Sequence, residues 1–121
     1  MECPYCFGEL KFVTSKEFYG EDYGTNLYVC YECDARVGTH GRGKTPLGTP
    51  ANKELRNLRM IAHSLFDPLW KGKHRKMGRI RAYRVMQELM DLPPNIAHIA
   101  MFNKEQCHKF IVKLKDYRGL K

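Results

Sequence analysis

The sequence lacks the long apolar runs and the leader pattern of membrane and secreted proteins. Among its 121 residues, no apolar run approaches the roughly 20 residues that a membrane-spanning helix requires. The first residues, MECPYCFGEL, do not show the positive charge followed by an apolar segment that marks a secretion signal. We therefore expect a soluble protein in a reducing cytoplasm, without a membrane partner.

A helix is missing where a phosphate-binding loop would need one. Residues 38–45 read GTHGRGKT and satisfy the nucleotide-binding pattern G-x-x-x-x-G-K-[ST]. In such a loop the Lys and the Thr open a helix whose N–H groups face the phosphates. Here Pro46 follows Thr45 directly, and a residue before proline is disfavoured in helical geometry. No hydrophobic strand ends in an Asp that could hold magnesium, so we do not expect a nucleotide hydrolase.

The five cysteines are odd in number, which argues against a disulfide framework. Four of the five cysteines form two Cys-x-x-Cys pairs, Cys3 with Cys6 and Cys30 with Cys33. Four thiolates can enclose a tetrahedral zinc ion, and no position then stays open for water, so such an ion is structural. A dithiol redox site would need one pair near a β-α-β unit, and iron is the alternative metal for four thiolates. We predict one structural Zn²⁺ held by these four cysteines.

The pattern along the chain predicts an α+β protein in three parts. Apolar and polar residues alternate in LKFVTS, and a second strand-like segment, LYVCYEC, follows a connection with turn residues. Residues 1–37 are therefore predicted to be a zinc ribbon, a β-hairpin that carries the metal. Residues 38–50 contain too many Gly and Pro for regular structure and are predicted to be a connector. Residues 51–121 are predicted to be a compact, basic domain of three helices.

The three helices are predicted from apolar spacing and from end signals. The first begins at Thr49 and Pro50 and ends near Asp67. The second spans about 75–90, and the third follows Asn103 and ends before Gly119. Residues 96–102, IAHIAMF, fit either a buried strand or a helical turn. The predicted core faces include Leu55, Leu58, Ala62, Leu65, Leu69, Met77, Ile80, Tyr83, Met86, Cys107, Leu114 and Tyr117.

Positive charge is concentrated in the second part of the chain. Residues 1–37 carry 3 basic and 7 acidic side chains, a net of −4, whereas residues 38–121 carry 18 and 6, a net of +12. Such asymmetry suggests a polyanionic partner for the second part. The densest segment, here named the basic run, contains no acid and comprises Lys71, Lys73, Arg75, Lys76, Arg79, Arg81 and Arg84.

A dense group of cations favours binding to a phosphate backbone, because each neutralised phosphate releases counterions. Arg42 and Lys44 of the connector are assigned to the same nucleic-acid-binding set. Trp70 could add base stacking if it is exposed. A solvated helix face and a docking surface for an acidic protein remain alternatives.

Two further groups of polar side chains are candidate sites. His63 and Asp67 are four residues apart on the first predicted helix and share a face, so with His40 they could form a metal or acid–base cluster. The alternative is a surface ion pair at a helix end. His98 and Cys107 could form a second metal site, or Cys107 could be a packed core residue.

The order of several short motifs resembles a zinc-finger-containing domain family found largely in bacteriophages and prophages. The motifs are CPYC, CYECDARVGTH, TPLGTPANKELRNLR, AHSLFDPLW, RIRAYRVMQEL and HIAMFNKEQC. The resemblance covers nearly the whole chain and implies a zinc protein of a bacterial host cytoplasm, but no particular reaction. The family's metal ligands fall on the four paired cysteines, and its characteristic polar positions fall on His40, Arg56, His63, Asp67, Arg79, His98 and Cys107. Phe7 departs from the pattern, since Gly commonly follows the second Cys.

These observations favour non-enzymatic nucleic-acid binding, DNA or RNA, through the basic part of the chain. In the first alternative, the protein binds an acidic host protein such as a transcription or defence component. In the second alternative, the protein is an enzyme that uses His40, His63 and Asp67.

Overall fold

The structure, a computed structural model, describes residues 1–119 and divides into two compact units. The first unit spans Met1–Arg56, and the second begins at Asn57. Within the described residues, no helix has the length and the apolar character needed to cross a membrane.

The first unit is built on a three-stranded antiparallel sheet. Its strands are β1 (Lys11–Thr14), β2 (Asn26–Val29) and β3 (Arg36–Gly38), and β2 lies in the middle. Phe12 of β1 lies opposite Tyr28 of β2, and their ring centroids are 5.1 Å apart. A small core of Cys3, Leu10, Cys30 and Ala35 lies beside the sheet, so two of the paired cysteines are also core residues. A core this small needs additional stabilisation, which a metal can provide.

A short helix in the first unit was not predicted. Helix α1, Ser15–Tyr19, lies in the segment interpreted as a turn-rich connection. The Thr14 hydroxyl accepts from the N–H of Glu17 at 3.1 Å, and Gly20 ends the helix with φ of 84°. The α+β class is therefore correct, but residues 1–119 contain four α-helices rather than three, and the predicted hairpin is a three-stranded sheet.

The other three helices are close to the predicted ones. They are α2 (Lys53–Phe66), α3 (Arg79–Met90) and α4 (Lys104–Arg118). Helix α2 begins later than predicted because Asn52, not Thr49, caps it: the Asn52 Oδ1 accepts from the N–H of Leu55 at 3.0 Å. Helix α3 begins at Arg79 because residues 71–78 form turns, with Gly72 at φ of 89°. The ambiguous segment contains a 3₁₀ turn, Ile99–Met101.

The core of the second unit is aromatic and aliphatic. The rings of Phe66 and Phe102 each lie 5.7 Å from Phe110, edge to face, and Met86 and Leu114 are also fully buried. Two predicted core residues were wrong: Ile80 is 75% exposed and Tyr117 is 48% exposed. The buried positions of α3 are Ala82, Met86 and Met90.

Candidate metal centre and basic surface

The four paired cysteines converge in the first unit. Their sulfur atoms all lie within 4.8 Å of one another, with Cys3 to Cys33 at 3.2 Å and Cys6 to Cys30 at 3.4 Å. A tetrahedral zinc ion with bonds of about 2.3 Å to sulfur requires sulfur–sulfur separations of about 3.8 Å. The observed cluster meets that requirement with small adjustments, so these residues fit one structural zinc ion. The four ligand positions would all be sulfur, which leaves none for a reacting water.

The two Cys-x-x-Cys turns have the same backbone geometry. In each turn the N–H of the first cysteine, Cys3 or Cys30, donates to the carbonyl five residues later, at 2.7 and 2.8 Å. Its own carbonyl accepts from the N–H four residues later, at 2.9 Å in both turns. The residue after the second cysteine has a positive φ, 64° at Phe7 and 62° at Asp34. Gly adopts this left-handed geometry without steric cost, and Phe7 occupies it with strain.

The backbone around Cys3 favours a thiolate. Burial opposes ionisation of Cys3, yet the N–H groups of Cys6 and Tyr5 donate to its sulfur and lower its pKa to about 7. The pKa of Cys33 is raised to about 12, chiefly by its hydrogen bond with the Cys3 sulfur. Of this pair, Cys3 therefore ionises more readily than Cys33. A bound Zn²⁺ would ionise Cys33 as well, since a coordinating thiol loses its proton.

A network of charges supports the second cysteine turn. The Asp34 carboxylate accepts from Arg56 at 2.9 Å and from Arg36 at 2.8 Å. The hydrogen bond from Arg56 holds the pKa of Asp34 below its usual range. Sequence reasoning placed Arg56 among the family's polar positions but missed Asp34. Asp tolerates left-handed geometry better than most residues, so an Asp directly after the second cysteine was the sequence feature that could have identified this position.

The loop with the nucleotide-binding pattern is a tight turn that presents no phosphate cradle. The N–H of His40 donates to Thr45 O at 3.0 Å, and Thr39 and Pro46 pair as an isolated β-bridge. Asn26 Nδ2 donates to the carbonyl of Arg42 at 2.7 Å, and Tyr28 Oη donates to that of Lys44 at 2.6 Å. Side chains thus bind carbonyls of the loop, whereas a phosphate site directs N–H groups at its ligand. No helix follows Thr45 within the described residues before α2, which agrees with the sequence analysis.

The basic run is fully on the surface of the second unit. All seven of its side chains are exposed. Lys71 lies 3.6 Å from the Asp67 carboxylate, and the Arg79 guanidinium lies over the rings of Trp70 and Tyr83 at 5.5 and 5.4 Å. Within residues 1–119, the remaining members make no ion pair; these are Lys73, Arg75, Lys76, Arg81 and Arg84.

The two connector cations differ from each other. Arg42 donates to the Asp22 carboxylate at 3.0 Å, which partly neutralises its charge, and Lys44 is exposed. Both belong to the first unit, and their assignment to a nucleic-acid surface stays a prediction.

The other predicted polar groups are placed as follows. His63 Nδ1 lies 3.4 Å from Asp67 Oδ1 on the exterior of the second unit, as expected of a surface pair. His40 is exposed in the first unit, and a joint cluster of the three stays a prediction. Cys107 is fully buried, and burial raises the pKa of its thiol. His98 is exposed and lies beside Tyr83, at 5.5 Å between ring centroids.

Comparison with known families agrees with the metal centre. Residues 1–117 match the model of a family described as a zinc-finger-containing domain. The match covers nearly the whole chain, so the chain belongs to this family. No curated protein and no solved structure matches it.

Proposed function

We propose that this member of the zinc-finger-containing domain family binds nucleic acid, DNA or RNA, through its basic run and catalyses no reaction. The observation that carries the proposal is the group of five exposed cations without a carboxylate partner in the described chain. Cations that are not already paired can neutralise phosphates at little cost in broken contacts. Each neutralised phosphate releases counterions and makes binding weaken as salt rises.

The zinc-binding unit has a different role in this proposal. Its cysteine turns carry a structural ion, and residues 1–37 are acidic, so they are poorly suited to contact phosphates. We propose that the ion stabilises the fold of this unit and that the unit binds other proteins through its surface. All five cysteines are free of disulfides, which suits a reducing compartment such as the cytoplasm of a bacterial host infected by a phage.

The test is fluorescence-anisotropy binding to unrelated DNA and RNA oligonucleotides from about 50 to 300 mM salt. Lys73→Glu with Lys76→Glu is compared with Lys109→Glu and Lys113→Glu, exposed positions on α4 that give the same change in net charge. We expect the first pair to weaken binding at least about 10-fold more than the second. Equal effects would mean that only net charge matters, and no binding at low salt would refute the proposal.

A second candidate function is the binding of a host protein, and exposed aromatic side chains favour it. Tyr19, Tyr23 and Tyr31 are 46%, 62% and 64% exposed in the first unit, around the partly buried ring of Phe18. Exposed tyrosines are typical of protein interfaces. Tyr23→Ser with Tyr31→Ser should abolish binding to an identified host protein and leave nucleic-acid affinity unchanged. If neither function changes, this surface is not an interface.

A further inference from the structure

An open pocket of about 410 Å³ lies beside the basic run, between helix α3 and the segment before α4. Its lining includes Arg79, Tyr83, Arg84, Gln87, Pro94 and His98. Small-molecule sites typically measure about 300–1,000 Å³, so a nucleobase can enter. The described lining residues include no carboxylate, so no fixed negative charge opposes a phosphate at this place.

Two rings in this pocket provide a surface for stacking. The centroids of Tyr83 and His98 are 5.5 Å apart, and their planes are inclined at 51°. Tyr83 makes an edge-to-face contact with Phe66 at 5.2 Å, and the Arg79 guanidinium lies over its ring at 5.4 Å, so His98 is the ring more open to a base. His98 is exposed, so its ring can meet an incoming base. Aromatic rings stack with any base, provided that the base is not already stacked within a duplex.

Polar groups near the rings match the rest of a nucleotide. The Gln87 amide offers both a donor and an acceptor, which suits the hydrogen-bonding edge of a base. Arg84 is exposed and unpaired within residues 1–119, and it can approach the neighbouring phosphate. On α3, Gln87 is a surface neighbour of both Tyr83 and Arg84, since it lies four and three positions after them.

A larger cavity nearby is less suited to this ligand. It measures about 830 Å³ and is lined by Arg81, Glu88 and Tyr117 among others. Arg79, Arg81 and Arg84 also line it, but Glu88 offsets part of their charge, and Tyr117 is the one aromatic ring among its described lining residues. We propose that the smaller pocket binds one unpaired nucleobase, so that the protein prefers single-stranded to duplex nucleic acid. This inference rests on the proposed function.

The test compares single strands that present the same phosphates with and without bases, and it adds a duplex whose bases are already stacked. Zinc-loaded protein is titrated with labelled strands of about 12 nucleotides, in DNA and in RNA: a single strand, its duplex, and a single strand whose sugars carry no bases. We expect the ordinary single strand to bind about 10-fold more tightly than the strand without bases. The duplex carries about twice the phosphates, and we still expect it to bind less tightly than the ordinary single strand because its bases are stacked.

Variants of His98 test whether this pocket causes the preference for single strands that carry bases. His98→Ala should lose most of the advantage of the ordinary single strand, and His98→Phe should keep it because the ring is retained. His108→Ala serves as the matched control, since His108 is an exposed histidine on α4 that does not line the pocket. Circular dichroism verifies that each variant is folded.

The outcomes separate this inference from the proposed function. Three results would overturn the nucleobase site while leaving phosphate binding intact. They are tighter binding of the duplex than of the single strand, equal binding of strands with and without bases, and an unchanged preference in His98→Ala. Absence of salt-dependent binding to all three ligands would overturn both.

Discussion

The guanidinium of Arg56 contacts both the backbone carbonyl and the carboxylate of Asp34. Nη1 lies 2.6 Å from the carbonyl oxygen, and Nη2 lies 2.9 Å from the carboxylate atom Oδ2. Nη1 also donates to the carbonyl of Ala51 at 2.8 Å. Asp34 directly follows Cys33, so the second cysteine turn is fastened to the beginning of helix α2. This explains why the first unit extends to Arg56 and includes the residues predicted to be a connector.

Replacing Arg56 should therefore weaken the metal-binding unit. Arg56→Met removes hydrogen bonds to two carbonyls and one carboxylate, and we expect the free energy of unfolding to fall by about 2 kcal/mol. Asp34→Asn is the matched variant, because it removes the ion pairs of the carboxylate with Arg56 and Arg36 but keeps the backbone contact. It should cost only about 0.5 kcal/mol. Urea-induced zinc release, followed with a chromogenic chelator, measures both; equal losses would show that the ion pair alone matters.

The strained turn at Phe7 predicts a stabilising substitution. Phe7 has φ of 64° and a ring that is 76% exposed, so its side chain gains little from packing. Phe7→Gly should stabilise the zinc-bound unit by about 1 kcal/mol, since Gly adopts this conformation without steric cost. Phe7→Ala removes the same ring but keeps a Cβ, and it should stay near wild type. If both variants change stability equally, the exposed ring and not the backbone is responsible.

Removal of the metal should unfold one unit and spare the other. The core of the first unit includes Cys3 and Cys30, two of the proposed zinc ligands. Loss of zinc therefore removes the bonds that hold these core residues together. A strong chelator, or Cys30→Ser, should abolish the sheet signal in circular dichroism and keep most of the helical signal. Cys107→Ala, which alters a buried cysteine outside the cluster, should retain one zinc ion per chain. One stoichiometric zinc in Cys30→Ser would contradict the four-cysteine site.

The metal centre was predictable because spacing alone fixes it. Two Cys-x-x-Cys pairs with strand-like flanks identify four ligands without knowledge of the fold, and the structure brings the sulfurs together. Helix α4 was equally accessible, since Asn103 and Gln106 form a capping box and Gly119 ends the helix. Each cysteine pair and the capping box are formed by residues close together in the sequence, so they could be predicted without knowledge of the tertiary structure.

The features that the sequence did not reveal depend on distant contacts or on weak local signals. Strand β3 exists because Arg36–Gly38 finds a partner in β2, and no periodicity marks a three-residue strand. Ile80 has the spacing of a core residue, yet the buried residues of α3 are Ala82, Met86 and Met90. The pocket at Tyr83 and His98 joins residues fifteen positions apart, which only the packing of the second unit brings together.

His63 offers a direct test of the enzymatic alternative. Its imidazole lies 3.4 Å from the Asp67 carboxylate, and Lys71 approaches the same carboxylate at 3.6 Å, so the three side chains form a polar cluster at the surface. Exposed pairs contribute little, and His63→Ala should lower the free energy of unfolding by less than about 0.5 kcal/mol. If phosphate binding is the function, affinity for nucleic acid should stay within about twofold of wild type, because His63 lies outside the basic run. The control is Ser64→Ala, the next exposed position on the same helix. A folded His63→Ala protein that has lost a measurable function retained by Ser64→Ala would instead assign chemistry to the His63–Asp67 pair.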